Sequence, residues 1–286
     1  MDLWGRERAS QLAALVDRAL PGEGLTEDEI AFCCWNGEGA VLGLSAGEGA
    51  VAVNIADEGP RRIGYVKLVV VDPGAQRRGQ GSALVEAAQN WAFDRGAQEV
   101  RVGAAAPFYL WPGCDVEHLG GLCLFESLGY WAVGAEVNMR CSTAHRADPP
   151  RGARVLRVED DDVVDSVLAL VRREWPHWEP ETRRGIELGT CFAALADDDP
   201  AVALGYASHS VNRRAWVGPM ATDSNRQHGG VGSALLASLC EDMQALGIDE
   251  AEIAWVGPVR FYAKAAGARV SRVFRSLTLP RPAAAL

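Results

Sequence analysis

Positive charge is scarce in this 286-residue chain, where 28 lysines and arginines face 38 aspartates and glutamates for a formal net charge of −10. That balance argues against a nucleic-acid surface, which needs a basic face, and an acidic field favours a small cationic ligand such as an amine. No apolar stretch is long enough for a bilayer and no N-terminal signal segment is seen, so no membrane partner is expected. The seven cysteines, at positions 33, 34, 114, 123, 141, 191 and 240, form an odd set without a C-x-x-C pair. Such usage points to a reducing cytoplasm and to buried free thiols at the vicinal Cys33 and Cys34. No His/Cys/Asp cluster has metal-ligand spacing, so no metal is expected.

Two nucleotide motifs are missing as well. There is no Gly-x-x-x-x-Gly-Lys-Ser/Thr, so the NTPase loop with its phosphate-gripping lysine is absent. A dinucleotide fingerprint needs a third glycine where Leu84 and Leu235 stand.

What the chain has instead is a repeat. Residues 69–84 read as an apolar run, a turn, a glycine-rich loop and the start of an amphipathic helix, and residues 220–235 repeat them. Both copies hold Gln-x-x-Gly-x-Gly-Ser-Ala-Leu, 151 residues apart, so one supersecondary unit occurs twice. At a helix N-terminus the first N–H groups lack intrahelical partners and the dipole adds positive charge. Glycines at 79 and 81, or 230 and 232, let a phosphate approach that backbone and permit positive φ. A phosphate-bearing ligand is the chemistry this loop suits.

At these residues the chain resembles the GNAT superfamily of acyl-coenzyme A dependent N-acetyltransferases, whose signature is a strand, Gln/Arg-x-x-Gly-x-Gly/Ala and a helix. Gln76, Gly79 and Gly81 reproduce it, then Gln227, Gly230 and Gly232, and the resemblance spans nearly the whole chain as two units. It implies an α/β (α+β) fold of two tandem GNAT-like domains, each a mixed, mostly antiparallel sheet flanked by helices. Two domains of about 140 residues fit the usual size range. The Pro149-Pro150 segment reads as a linker over 146–153, between an N-terminal domain at 1–145 and a C-terminal one at 154–286.

Periodicity supports that order. Helices are predicted over 7–19, 83–95, 119–128, 160–173, 179–186, 233–245 and 259–266. Strands are predicted over 40–44, 50–55, 63–71, 99–102, 191–195, 202–210, 214–221, 250–256 and 270–279. Between the strand at 99–102 and the next helix lies an aromatic loop, Phe108-Tyr109-Leu110-Trp111-Pro112-Gly113, which either caps a site or packs over its own sheet edge.

The resemblance implies acetyl-coenzyme A as donor and no metal. Loop amides of Gln76, Arg77, Arg78, Gly79, Gln80, Gly81 and Ser82 would hold its diphosphate, as would those of Gln227, His228, Gly229, Gly230, Val231, Gly232 and Ser233. Main-chain groups of Val69 and Val71, or of Met220, Ala221 and Thr222, would face the pantetheine arm. The family's proton donor is a tyrosine in the helix after the second strand, matched by Tyr262, whereas the first unit has Phe125 at that place. A ring without a hydroxyl cannot protonate a thiolate, so the second unit is expected to do the chemistry, a division of labour known in tandem members such as mycothiol synthase. Glu252, on the strand after the loop helix, is the candidate base. Trp175, His177 and Trp178 are the candidate acceptor site, where paired rings with flanking carboxylates suit an ammonium or a sugar face.

The expected activity is transfer of an acetyl group to the primary amine of a small molecule, such as an amino sugar or aminoglycoside-like metabolite. Two alternatives stay open: a non-catalytic acyl-coenzyme A sensor or scaffold, and a protein or peptide N-acetyltransferase. Nothing in the sequence sets an oligomeric state.

Overall fold

A capping box starts a helix that apolar periodicity does not reveal. Thr26 Oγ1 accepts from Glu29 N at 3.2 Å and Glu29 Oε2 accepts from Thr26 N at 2.7 Å, which satisfies donors at both ends of the first turn. The residues that follow, Ile30 to Cys34, are buried on all sides, so no polar stripe marks the helix in the sequence.

The computed structural model describes residues 1–199, 201–224 and 229–282. In chain order the first elements are β1 (Asp2–Trp4), α1 (Ala9–Ala19), α2 (Glu27–Trp35), β2 (Glu38–Gly43), β3 (Gly49–Glu58), β4 (Arg61–Val71) and α3 (Gln80–Asp94). There follow β5 (Glu99–Val102), β6 (Cys114–Asp115), α4 (Leu119–Ser127) and β7 (Trp131–Ser142). The second series is β8 (Ala153–Arg157), α5 (Asp161–Glu174), α6 (Glu179–Glu187), β9 (Cys191–Ala196), β10 (Ala203–His209), β11 (Trp216–Thr222), α7 (Val231–Ala245), β12 (Glu250–Ile253), α8 (Val259–Ala266) and β13 (Arg269–Pro280).

The chain forms two compact units, Met1–Glu136 with the chain from Val273 on, and Val137–Arg272. They do not part at the predicted linker. The edge of β5 in unit 1 is completed by the end of the chain, with Thr278 of β13 opposite Arg101. The corresponding edge of β12 in unit 2 is completed by β7, with Glu250 opposite Ser142. An open strand edge leaves N–H and C=O groups unpaired, and each unit fills its edge with a strand the sequence boundary would give to the other. The segment read as a linker is pinned within unit 2: Arg151 N donates to Gly229 O at 2.8 Å and Asp197 N to Gly152 O at 3.0 Å.

Among the strand pairs described inside each unit, all are antiparallel except for one parallel pair that brackets the repeat. In unit 1 it is β4 and β5, from Ile63 opposite Glu99 to Val66 opposite Val102, joined by α3. In unit 2 it is β11 and β12, with Trp216 opposite Glu252 and Val217 opposite Ile253, joined by α7. Leu84, Val85, Ala88 and Ala92 of α3 bury against Val51, Val53 and Val66. Leu235, Leu236, Leu239 and Met243 of α7 bury against Val217 and Ile253. Each buried leucine, valine or methionine contributes about 1.5–3 kcal/mol and each alanine methyl about 0.8 kcal/mol, which holds both loop helices firmly on their sheets.

Candidate active site

The turn before α3 is set by one glycine. Gly79 lies at φ +78°, ψ −2°, a left-handed conformation that a Cβ makes costly. The helix ladder begins with Ala83 N on Gly79 O at 3.0 Å. The N–H groups of Gln80, Gly81 and Ser82 therefore precede that ladder, at the positive end of the dipole. Gly230 repeats the conformation at φ +85°, ψ 7°, with Ala234 N on Gly230 O at 3.0 Å. A brace recurs too, since Arg18 meets Asp72 at 2.8 Å and Arg173 meets Asp223 at 2.8 Å. The Arg18 guanidinium holds the Asp72 carboxyl below its ordinary value. Gln227 and His228 lie outside the described residues.

The strand leading into the turn differs between the units. Against β3, Ala52 pairs with Leu68 and Val53 with Val66, leaving Lys67 as an extra residue in a bulge. Against β10, Met220 pairs with Ala207 and Val217 with His209, leaving Gly218 and Pro219 opposite Ser208. Lys67, one of the chain's two lysines, is 3% exposed. Its ammonium donates to the carbonyl oxygens of Cys33 and Asn36 at the end of α2 and lies 5.8 Å from the centroid of the Phe108 ring. Burial draws its pKa down. A lone lysine inside the apolar run 63–71 was the signal for it in the sequence.

Beyond Val66 the edge of β4 leaves β5 and opens on a cavity of about 720 Å³. Val69, Val71, Gln76, Arg77, Gly79 and Gly81 line one end, with Ser82 beside them. Gln76 Nε2 donates to Val71 O at 3.0 Å, while the Gln80 carboxamide turns away to Glu48 at 2.6 Å and Arg78 is exposed. The other end reaches Leu20 after α1, and Trp111, Asp115 and His118. There Trp111 Nε1 donates to Glu23 Oε2 at 3.2 Å and His118 Nε2 lies 3.1 Å from Glu23 Oε1. Asp115, 3% exposed, accepts from Glu117 N at 2.9 Å. Trp111 of the aromatic loop lines the cavity, and Phe108 packs edge-on against Phe32 of α2, centroids 5.2 Å apart. Beside it Cys33 Sγ donates to Tyr109 O at 3.4 Å, and burial pushes the Cys34 thiol up to about 12.

In unit 2 Phe261, Met220 and the backbone at Arg151 stand beside the loop glycines. A Cβ placed on Gly232 would lie 3.1 Å from Phe261 Cζ and 3.8 Å from Met220 Cε, and one on Gly229 would lie 3.1 Å from Arg151 O. In unit 1 the smaller Leu124 stands over Gly81. A cavity in unit 2, about 530 Å³, is lined by Ser233, Pro258, Arg260, Phe261, Lys264 and Ala265, and among the described residues it does not reach β11, where Met220, Ala221 and Thr222 stand.

The candidate acid and base of unit 2 are not brought together. Tyr262 is 7% exposed in the core cluster that holds Ala251 and Ile253. Its hydroxyl donates to Met220 Sδ at 3.8 Å, and burial pushes its pKa up to about 12. Glu252 alternates with Ala251 and Ile253 along β12 and so projects from the opposite face. There Asn138 Nδ2 donates to it at 2.6 Å and Arg140 approaches to 3.7 Å. The Trp175 and Trp178 rings stack with centroids 5.6 Å apart, His177 stands edge-on to Trp178, and both tryptophans pack on the core between α5 and the sheet.

Among the described residues no group of three or more His, Cys, Asp or Glu could hold a metal ion, and no helix is long and apolar enough to cross a membrane. The sequence profile of the acetyltransferase (GNAT) family matches residues 9–109 and 157–268. This chain therefore belongs to the GNAT acetyltransferase family, which uses acetyl-coenzyme A, and it is an acyltransferase of that type. No curated protein matches it significantly. Among solved structures it is similar to the glucosamine N-acetyltransferase region of a fungal multi-domain GH3 β-N-acetylglucosaminidase, with 18% identity and TM-score 0.76. That match covers 97% of this chain but only 38% of the fungal one. It is also similar to a tandem GNAT protein from the clavulanic acid biosynthesis pathway, with 14% identity, TM-score 0.74 and 98% of each chain covered. A third is a GCN5-related N-acetyltransferase from Sphaerobacter thermophilus, with 16% identity, TM-score 0.68, and 99% and 96% covered. At these identities the likeness is one of fold.

Proposed function

We propose that unit 1 transfers the acetyl group of acetyl-coenzyme A to the primary amine of a small cationic acceptor, with an amino sugar as the favoured class. The observation that carries this reading is the cavity of unit 1, which runs from the N–H groups before α3 to a wall of Trp111, Asp115, Glu117 and His118. The N–H groups of Gln80, Gly81 and Ser82 would hold the diphosphate, with Arg77 and Arg78 adding charge, and the free edge of β4 at Val69 and Val71 would take the pantetheine arm. The donor supplies an acetyl carbon activated as a thioester. The chain's own part is to hold the acceptor beside that carbon, away from water, and to manage its protons. Carboxylates and an indole face attract an ammonium. The amino-sugar class takes support from the fungal relative's glucosamine activity.

The test is incubation with acetyl-coenzyme A and a panel of primary amines headed by glucosamine, with free thiol measured, alongside calorimetry with coenzyme A. The expected result is amine-dependent thiol release and one equivalent bound per chain. Absence of release with every amine, or tight binding confined to unit 2, would overturn the reading.

A further inference from the structure

A Cβ in the left-handed backbone region carries a steric cost that glycine escapes. In unit 1 the first residue after β3 is Gly59, at φ +60°, whereas in unit 2 the first residue after β10 is Ser210, at φ +55°. Unit 2 thus keeps a hydroxyl where its counterpart has no side chain, and that hydroxyl ends a chain of hydrogen bonds. His209, the last residue of β10, is fully buried between Ser210 and Asp242 of α7. Its Nε2 lies 2.8 Å from Asp242 Oδ2 and its Nδ1 3.0 Å from Ser210 Oγ. A carboxylate only accepts, so the ring hydrogen sits on Nε2 and Nδ1 accepts the hydroxyl hydrogen of Ser210. We propose that Ser210, His209 and Asp242 form a second active centre, contained in unit 2, that hydrolyses small carboxylic esters. Ser210 Oγ is its nucleophile, His209 is the base, and Asp242 is a positioning residue that fixes the imidazole and favours the imidazolium.

Each part is held in place. Arg157 donates to both oxygens of Asp242 and stands over the Phe192 ring, 4.6 Å from its centroid, which sets the plane of the carboxylate. Burial works against ionisation of Asp242, yet the hydrogen bonds from Arg157 and His209 keep its pKa below the ordinary value. Burial draws the His209 pKa down, so the ring is neutral at pH 7 and able to take a proton. Ala215 N donates to Ser210 Oγ at 3.2 Å and Ser210 N to Trp216 O at 2.7 Å, which anchors the nucleophile at the turn between β10 and β11. Ser210 is half-buried, so the base is sheltered while the nucleophilic residue is partly open to solvent. Strand β11, from Trp216 to Thr222, is roughly 20 Å long and separates this centre from the glycine loop of unit 2.

The bonds and protons balance. Ser210 Oγ bonds to the ester carbonyl carbon as its proton passes to His209 Nδ1. The bond from that carbon to the alcohol oxygen breaks with its pair on oxygen, which takes the proton from Nδ1. Water then attacks the acyl-serine, gives a proton to Nδ1, and the acid leaves as Ser210 Oγ recovers that proton. Ester and water become acid and alcohol.

The experiment treats the full chain, without coenzyme A, with a fluorophosphonate and separately with p-nitrophenyl acetate, and locates the modified residues by peptide mass spectrometry. Ser210 should react at least about 100-fold faster than the other serines in the same digest, and p-nitrophenyl acetate should be turned over. Ser210→Ala should lose both reactions, Asp242→Asn should slow both about 10²–10⁴-fold, and Ser210→Cys should restore acylation, with melting curves as checks on folding. Modification of Ser210 no faster than that of other serines, or a folded Asp242→Asn reacting at the unmodified rate, would overturn the proposal. Should Asp242→Asn fail to fold, the comparison among serines of the unmodified protein decides. Because coenzyme A is absent, either outcome leaves the reading of unit 1 standing.

Discussion

Units 1 and 2 carry the same nine-residue pattern, the same left-handed glycine and the same arginine–aspartate brace, yet among the described residues a large cavity follows the strand around the first. The difference lies in what stands beside the loop. Leu124 becomes Phe261, Val69 becomes Met220 with the Tyr262 hydroxyl on its sulfur, and the chain at Arg151 lies against Gly229. A helix N-terminus able to hold a phosphate is therefore a necessary part of the site and not a sufficient one. Space along the splayed strand has to accompany it.

The sharpest way to break this comparison is to change the two matched glycines in parallel. Gly79→Val and Gly230→Val should each cost about 1–2 kcal/mol of stability, because both force a side chain into a left-handed turn. Only Gly79→Val should weaken coenzyme A binding, by about a thousandfold or roughly 4 kcal/mol in calorimetry. Equal losses from both variants would show two working loops.

The next effect concerns a carboxylate in unit 2. Glu181, on α6, is 5% exposed, and burial pushes its pKa up to about 8 although Asn212 donates to it at 2.9 Å. A folded-state value above the unfolded one makes folding most favourable at low pH, and that advantage is lost as pH rises from about 4.5 towards 8. Glu181→Gln should therefore stabilise the protein by about 2–3 kcal/mol at pH 8 and have almost no effect at pH 4.5 in thermal melts. A pH-independent difference would show that Glu181 is already ionised in a solvated site.

Phe261→Ala tests the obstruction itself. Removing the half-buried ring should cost about 2 kcal/mol and expose a second, weaker coenzyme A site in titrations. Unchanged stoichiometry would mean that Met220 and the Arg151 backbone suffice to close the loop. The smallest effect is expected for Tyr262→Phe, which removes only a long contact to a thioether. Stability should change by no more than about 0.5 kcal/mol and thiol release not at all, whereas a large loss of turnover would return the chemistry to unit 2.

Much of this was legible in the residues. The repeat, the two loop helices and the strands around them follow from glycine placement and from hydrophobic periods of 3.6 and 2. Helix α2 escaped because Ile30 to Cys34 show no periodicity, although Thr26 and Glu29 carried the capping signal. Lys67 was readable as a charge inside a strand. Glu23, Trp111 and His118 were not readable as a group, since nothing in their spacing says that the end of α1 and the start of α4 meet.

The sequence by itself determined the duplicated phosphate turn, because a helix that must begin at positive φ accepts little but glycine, and that requirement is met within a few consecutive residues. Only the tertiary structure decided which turn opens on usable space, which strand completes each sheet and which carboxylate reaches His118. Those outcomes depend on the volume and direction of side chains brought together from distant parts of the chain, and local conformational preference carries no information about them.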